Sequence, residues 1–408
     1  MRISTNMIFE QGTTQLGTLN SNIAKTQMQL STNRRILTAA DDPIAAARAL
    51  EVTQSQSLNT QYGVNRQNAK SSLGLEEQAL AGTTGLIQDV QTLVVNAGNG
   101  TLSDTDRKSL AVELQGRLDD MLALANSADG AGGYLFAGSR STTLPFTQTA
   151  SGAQYNGDQT ARQLQISSAR QTAISDSGSE IFENNVTGNG SFVTAASAAN
   201  TGAGIVSSGS VVNSTLTTGH NYQLSFAVAG TPAVTTYAVL DQTTGLPPPG
   251  LVGPQPYQSG QQITFDGVAF DIKGIPANGD SFSVQPSQKQ SIFQTLTDLI
   301  GVLRSSGNGP TGQAALTNGL NKAHENLGSA LDNVLSVRAS VGARLKEVDT
   351  LDSAGDDLNL QYAATLSTLQ DLDQVAAISQ FTQQQFALEA AQKSFKTLSG
   401  LSLFNYIG

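Results

Sequence analysis

Residues 40–50, Ala-Asp-Asp-Pro-Ile-Ala-Ala-Ala-Arg-Ala-Leu, mark the start of a long helix. Asp42 is placed to accept hydrogen bonds from the free amides of the first turn, and Pro43 loses nothing at a position where its N–H would have no helical partner. Beyond them, apolar residues recur at helical spacing along one stripe: Leu73, Leu80, Ile87, Val90 and Val94. The pattern ends at Asn96 and Gly98, after about 54 residues. A helix of that length is far above the globular mean and predicts a coiled coil or rod.

Two further helical segments are predicted. Ser103 and Asp106 resemble a capping box, and a helix rich in leucine follows until the glycines near residue 130. Its leucines are Leu110, Leu114, Leu118, Leu122 and Leu124. From about residue 288 the chain is helical again, and the pattern continues to Phe395. A heptad-like stripe runs through this C-terminal flank: Leu327, Leu331, Val334, Val341, Leu345 and Val348.

The two ends of the chain carry matching apolar stripes. They consist of Leu16, Leu19, Ile23 and Leu30 near the N-terminus, and of Phe381, Leu388 and Phe395 near the C-terminus. A helix with one thin apolar stripe is marginal in water when it stands alone. Each terminal helix is therefore predicted to need a partner, and the other terminal helix is the first candidate. Periodicity alone leaves a second interpretation open, a core stripe in a monomeric helical bundle.

The middle of the chain has a different composition. Between about residues 185 and 287 it shifts to Gly, Ser, Thr, Val and Pro, and apolar residues alternate with polar or small ones in 222–228. Asp266-Gly267 stands between two alternating runs and is a strong β-hairpin signal. We therefore predict an inserted, mainly β domain, and a smaller β element near 133–180 with strands around 134–136, 153–155 and 163–166.

The predicted fold class is mainly α with an inserted β domain, built on a long antiparallel helical rod or coiled coil from both termini. Three domains are expected. Residues 1–42 with 361–408 form a terminal coiled-coil assembly domain. Residues 43–184 with 288–360 form a helical rod domain with the small β-hairpin element. Residues 185–287 form the inserted β-rich outer domain.

Composition excludes much catalytic chemistry. The 408 residues include no Cys and two His, so a disulfide framework, a thiolate nucleophile, a zinc ribbon and a His-rich metal centre are not expected. Phosphate-loop, zinc-protease and serine-hydrolase motifs are missing from the sequence. His220 and His324 are interpreted as structural, and the adjacent pairs Asp41-Asp42, Asp119-Asp120 and Asp356-Asp357 as caps or solvated surface. No catalytic, cofactor or metal site is predicted.

Charge and hydropathy limit the partners. The net charge is −10 and only 13% of the residues are charged, while binding to nucleic acid needs a basic face. Nucleic acid is therefore not an expected partner. No apolar run approaches the roughly 20 residues that span a bilayer, so membrane insertion is not expected. Residues 1–7 lack the apolar core of a signal peptide, which argues against secretion by the ordinary route.

Several motifs together resemble one family. Gln-Leu-Ser-Thr-Asn-Arg-Arg-Ile at 29–36 and Ala-Ala-Asp-Asp-Pro at 39–43 closely resemble the N-terminal signature of the bacterial flagellin superfamily. Gly-Gly-Tyr-Leu-Phe-Ala-Gly at 132–138 and the C-terminal 398–407 are similar to its hook-associated branch. The motif residues are Arg34, Arg35, Asp41, Asp42, Pro43, Phe136 and Gly138. The two arginines are expected either to face solvent or to pair with acidic residues of a neighbouring chain.

The resemblance implies a structural subunit rather than an enzyme. It implies an extracellular location in the flagellum, export of the unfolded chain by the flagellar type III apparatus, and an export chaperone. Terminal helices are disordered in monomers of this family and pair only in the helical tube formed by copies of the chain. The expected neighbours are a hook-associated protein on the hook side and flagellin on the filament side. The residues expected to carry assembly are Leu16, Leu19, Ile23, Leu30, Phe381, Leu388, Phe395, Leu398, Leu401 and Leu403.

The function expected from the resemblance is that of a subunit of the junction between hook and filament. Two alternative functions are kept beside it. One is a flagellin that forms the filament itself. The other, from a different class, is a carbohydrate-binding or enzymatic domain at 185–287, which the scarcity of His and of clustered acidic residues there disfavours.

Overall fold

The computed structural model describes residues 5–305 and 307–400. These residues form six α-helices: α1 (Thr5–Thr32), α2 (Pro43–Ala97), α3 (Asp104–Ala125), α4 (Ile292–Ser305), α5 (Gly309–Gln370) and α6 (Gln374–Gly400). The chain divides into two compact units, Met1–Val64 with Thr350–Gly408, and Asn65–Asp349. Both α2 and α5 run through a boundary between the units. The predicted fold class, mainly helical with an inserted β-rich region, is confirmed.

The first unit contains α1, α6, the start of α2 and the end of α5. Helix α2 begins at Pro43, as the sequence predicts, because the Asp42 carboxylate accepts a hydrogen bond from the N–H of Ala45 at 3.0 Å. The C-terminal helical pattern is broken at 371–373, which the sequence analysis did not foresee. Asp373 accepts a hydrogen bond from the N–H of Ala376 at 3.0 Å and starts α6 as a separate helix.

The second unit buries the stripes predicted for its helices. On α2 the five predicted stripe residues are all buried: Leu73, Leu80, Ile87, Val90 and Val94. Helix α3 starts with the predicted capping box, in which Ser103 and Asp106 each accept from the other's backbone N–H. Its buried face differs from the predicted leucine line and consists of Arg107, Ala111, Leu114, Leu118, Met121 and Ala125. On α5 the predicted Leu327, Val334, Val341 and Val348 are buried.

The small β element consists of two hairpins. Strand β1 (Phe146–Thr149) pairs with β2 (Gly152–Tyr155), and β3 (Gln163–Ser167) pairs with β4 (Arg170–Ala173). The strand expected at 134–136 does not form, and Tyr134 makes only one isolated bridge, to Ala128. The segment instead buries its apolar side chains beside glycines with positive φ. A π-helix at Ser179–Glu183 follows the hairpins.

The inserted region supplies eleven further strands among the described residues. They are β5 (Asn185–Val186), β6 (Phe192–Ala196), β7 (Ile205–Val206), β8 (Ser210–Val211), β9 (Tyr222–Ala229), β10 (Val234–Asp241), β11 (Gln255–Pro256), β12 (Gln262–Phe265), β13 (Val268–Lys273), β14 (Ser281–Pro286) and β15 (Lys289–Gln290). A five-stranded sheet has the order β11-β10-β9-β14-β6, and a four-stranded one includes β12-β13-β7. Their apolar faces share one core. The Asp266-Gly267 hairpin forms between β12 and β13, as predicted.

Candidate assembly interface

The terminal helices α1 and α6 pack against each other and run in opposite directions. The seven predicted stripe residues that the structure describes with side chains are all half-buried: Leu16, Leu19, Ile23, Leu30, Phe381, Leu388 and Phe395. Leu398 is in the last turn of α6, but its side chain lies outside the described set. Leu401 and Leu403 lie outside the described residues. Their role in assembly remains a prediction.

The contacts between α1 and α6 include residues that the sequence analysis missed. The ring centroids of Phe9 and Phe395 are 4.9 Å apart. Gly12 lies so close that a Cβ atom there would be 2.7 Å from the Phe395 ring. Thr26, which is buried, donates a hydrogen bond to the Gln384 side chain at 3.0 Å.

A heptad signal for these positions was present in the sequence. Phe9 lies seven residues before Leu16 and continues the line to Ile23 and Leu30. Gly12 and Thr26 lie on the second line of the same repeat, with Leu19. Because one is glycine and the other polar, an apolar pattern does not detect them.

The segment between α1 and α2 contacts the segment between α5 and α6. We call this joint the clasp and define it as residues 33–42 together with 369–374. The Arg35 N–H donates to the Gln370 carbonyl at 2.7 Å, and the Leu372 N–H donates to the Asn33 carbonyl at 3.3 Å. Gln374 adds a side-chain hydrogen bond to the Asn33 side chain at 3.0 Å. The clasp therefore joins the two turns where α1 ends and α6 begins.

Arg34 and Arg35 have different roles in the clasp. The backbone of Arg34 forms a bridge with Asp371, while its side chain is exposed. The Arg35 guanidinium donates to the Leu369 carbonyl at 2.8 Å and pairs with Asp42 at 3.3 Å. In this structure Arg35 therefore pairs with an acidic residue of its own chain.

The two aspartates of the motif organise the turn between α1 and α2. Asp41 accepts hydrogen bonds from the N–H groups of Leu37 and Thr38 at 3.0 and 2.9 Å, and forms an ion pair with Lys25 of α1 at 2.6 Å. The Lys25 hydrogen bond, with those from the backbone, lowers the pKa of Asp41 to about 2. The hydrogen bond from the Ala45 N–H lowers the pKa of Asp42. Both carboxylates are therefore ionised at neutral pH.

We expect Arg35→Ala to loosen the clasp. It removes the bond to the Leu369 carbonyl and the ion pair with Asp42, and a half-exposed arginine of this kind contributes about 1 kcal/mol. Hydrogen–deuterium exchange of the amides in 33–37 and 370–373 should rise several-fold. Arg34→Ala is the matched control, because the backbone of Arg34 makes its bridge. Equal exchange in both variants would show that the Arg35 side chain does not hold the clasp.

Phe136 and Gly138 lie in the second unit and are structural. Phe136 is fully buried, and its ring packs edge-on against Phe182 at 5.5 Å. Gly138 has φ +68°, and a Cβ atom there would be 2.3 Å from the Asp158 carbonyl oxygen. Only glycine fits this position without displacing the backbone.

The variant Gly138→Ala should destabilise the second unit by about 2 to 5 kcal/mol, because a left-handed backbone and a clash act together. The control is Gly130→Ala, where φ is +76° and no described atom lies within 4 Å of the added Cβ. The Gly130→Ala variant should lower the free energy of unfolding by about 1 to 2 kcal/mol, because it adds the strain of the left-handed backbone without a clash. Urea unfolding followed by circular dichroism measures both. Equal losses would contradict the clash.

Helix α6 also carries an apolar face that is largely exposed. Val375 is 81% exposed, Ile378 55% and Phe386 74%. At 100° per residue these three positions fall within one arc of about 80°, on the side of the helix away from the buried Ala377 and the line through Phe381. Exposed apolar side chains clustered in this way mark an interaction surface.

Comparison with known proteins identifies the family. Residues 3–141 match the model of the bacterial flagellin N-terminal helical region. Over 406 residues, 99% of each chain, the sequence is 32% identical to flagellar hook-associated protein 3 of Salmonella typhimurium. The chain belongs to the flagellar hook-associated protein 3 family.

Crystal structures of hook-associated protein 3 share the fold. The protein of Legionella pneumophila gives a TM-score of 0.73 at 34% identity and covers 78% of this chain and 98% of its own. FlgL of Xanthomonas campestris gives a TM-score of 0.71 at 35% identity, and the match covers 78% of this chain and 99% of FlgL. Flagellins match less: that of Listeria monocytogenes is 26% identical over 134 residues, 32% of this chain. The flagellin alternative is therefore set aside.

Membership of the hook-associated protein 3 family places the chain in the bacterial flagellum, among structural proteins. Within 5–305 and 307–400 no helix combines the length and the apolar content needed to cross a membrane. In the same ranges no cluster of three or more His, Asp or Glu side chains is arranged to hold a metal ion.

Proposed function

We propose that this chain is a structural subunit of the junction between hook and filament, and that α1 and α6 assemble copies of it into a helical tube. Its neighbours are a hook-associated protein on the hook side and flagellin on the filament side. The family relationship supports the site of action, since a Legionella pneumophila structure at 34% identity is that of the flagellar junction protein.

The exposed apolar face of α6 carries this proposal. Val375, Ile378 and Phe386 are each more than half exposed, yet each is strongly apolar. One side of α6 is already used by α1. A helix that is apolar on a second side needs a second partner, and a neighbouring subunit supplies the same surface repeatedly.

The thin contact between α1 and α6 supports a terminal domain that is disordered in the monomer. All seven described stripe residues stay half-buried, so the pair alone buries little apolar surface. Contacts with neighbouring copies would complete that burial. Ordering of α1 and α6 would then accompany assembly, as in other cases of coupled folding and binding.

The same features fit export of an unfolded chain through the flagellar type III apparatus. A chain without cysteine forms no disulfide that would have to be reduced before unfolding. The apolar faces of α1 and α6 need protection before assembly, and an export chaperone that covers them would provide it.

Terminal deletions test the proposal. Removal of residues 1–30 or 380–408 should abolish assembly and leave the second unit folded, with unchanged urea unfolding of its helices. In a deletion strain that expresses either variant, electron microscopy should show hooks without filaments and flagellin in the medium. Full-length chain expressed in the same strain is the control and should restore filaments. Filaments restored by a truncated chain would overturn the role of the terminal helices.

A further inference from the structure

One end of the inserted β domain contains a cavity of about 330 Å³. Its floor is apolar and includes Phe192, Val268 and Val284. Its rim is polar and includes Thr218, His220 and Asp266. The volume falls within the range of small-molecule sites, which combine an apolar wall with a few convergent polar groups.

His220 is held in place by a buried carboxylate. Its Nδ1 atom lies 2.7 Å from Asp241 Oδ2, and the Asp241 carboxylate also accepts hydrogen bonds from the backbone of Thr243 and the hydroxyl of Thr244. Burial raises the pKa of Asp241, but hydrogen bonds from His220 and Thr244 outweigh this effect and lower the pKa to about 2. An ionised carboxylate only accepts, so Nδ1 carries the proton. The other ring nitrogen, Nε2, can then hydrogen-bond a ligand.

Asp266 is a second polar residue of the rim and is also held in place. It lies in the tight hairpin turn between β12 and β13, with φ +43°. Its Oδ2 atom accepts a hydrogen bond from the Tyr222 hydroxyl at 2.7 Å, and that hydroxyl also lies 2.5 Å from the hydroxyl of Thr218. A carboxylate can accept up to about four hydrogen bonds, so Asp266 has capacity for more.

The chemistry of the rim selects a class of ligand. A carboxylate acceptor suits a hydroxyl donor, and the His220 ring and the Thr218 hydroxyl can each form a hydrogen bond with a further hydroxyl group. Among the described lining residues there is no lysine or arginine, and Asp266 repels anions. The apolar floor suits the C–H face of a ring. We propose that this cavity binds a neutral pyranose sugar, with Asp266 accepting a hydrogen bond from one of its hydroxyl groups and His220 forming a hydrogen bond with another.

The small number of histidines makes the test direct. The chain has two histidines, so its labelled imidazole spectrum reports on His220 in the cavity rim and on His324 of α5 as an internal control. The full-length protein would be titrated with D-glucose, D-galactose, D-mannose and N-acetyl-D-glucosamine, each to about 20 mM, a range that detects millimolar affinity. We expect a saturable shift of the His220 resonances with at least one sugar and none of His324.

Asp266→Asn is the discriminating variant. Asn-Gly favours the same hairpin turn as Asp-Gly, and an asparagine side chain still accepts from Tyr222, so the fold is preserved. Affinity should fall about tenfold or more through loss of the charged acceptor. Asp332→Asn, an exposed position on α5, should leave the affinity unchanged.

Three results of the sugar titrations would overturn the proposal. They are no saturable His220 shift with any of the four sugars, an equal shift of His324, and undiminished affinity in Asp266→Asn. Ethylamine and inorganic phosphate serve as competing probes. Tighter binding of either than of every sugar would likewise reject a neutral sugar as the ligand.

Discussion

Replacing Ile378 and Phe386 together by serine should abolish assembly while the contact between α1 and α6 persists. Both side chains lie on the exposed apolar face of α6, away from Phe381 and Phe395. If a neighbouring copy buries them, each contributes about 1.5 to 3 kcal/mol. Their loss should raise the protein concentration needed for assembly roughly 100- to 10,000-fold. Sedimentation of the polymerised protein measures that concentration.

Two controls separate an interface from a general change in hydrophobicity. Val252→Ser alters a residue that is 76% exposed in the inserted domain and should leave assembly unchanged. Phe395→Ser should instead weaken the contact between α1 and α6, since it removes the ring contact with Phe9. Normal polymerisation of the Ile378/Phe386 variant would show that this face of α6 is not an interface.

The long helices could be predicted because their physics is local and repetitive. The α2 stripe from Leu73 to Val94 and the start at Asp42-Pro43 follow from periodicity and capping, and the structure contains both. The break between α5 and α6 could not be predicted in the same way. Its apolar pattern continues across 371–373 and hides the local cap at Asp373, and the segment is also held by hydrogen bonds to Asn33 and Arg35, which are more than 330 residues away in sequence.

The residues of the candidate sites could also be predicted only where a local sequence pattern marks them. Phe9 continues a visible heptad, so it could have been found. Gly12 and Thr26 contact α6 through their small size and a hydroxyl, and neither has an apolar signal. His220 meets Asp241 across the β9–β10 pairing, and Asp266 reaches Tyr222 from the turn between β12 and β13, so a search for adjacent acidic residues could not detect them.

Glu76 of α2 is a buried acid that no sequence pattern marked. Its side chain is 0% exposed, one carboxyl oxygen accepts from the Asp176 N–H at 2.9 Å, and the other has no hydrogen-bond partner among the described atoms. Asp176 forms an ion pair with Arg344 of α5. Burial, together with repulsion from the Asp176 carboxylate, raises the pKa of Glu76 from 4.5 to about 8, although Arg344 partly opposes this.

The free energy of unfolding should therefore fall with rising pH because of Glu76. Below pH 4.5 the side chain is protonated in both states and has no effect. Between pH 4.5 and about 8 only the folded state keeps the proton, so raising the pH lowers the free energy of unfolding. Above about pH 8 the free energy of unfolding falls no further because of Glu76. At 1.36 kcal/mol per pH unit this interval corresponds to at most about 5 kcal/mol.

Glu76→Gln should remove this dependence. Glutamine keeps an acceptor for the Asp176 N–H and carries no charge at any pH, so the variant should match the parent at pH 4 and exceed its stability by about 3 to 5 kcal/mol at pH 9. Urea unfolding at a series of pH values measures the difference, which should grow between these limits and then stay constant. Glu51→Gln, at an exposed position on the same helix, is the control and should give a difference near zero throughout. A Glu76→Gln difference that does not change with pH would mean that Glu76 ionises in the folded protein as it does in the unfolded chain.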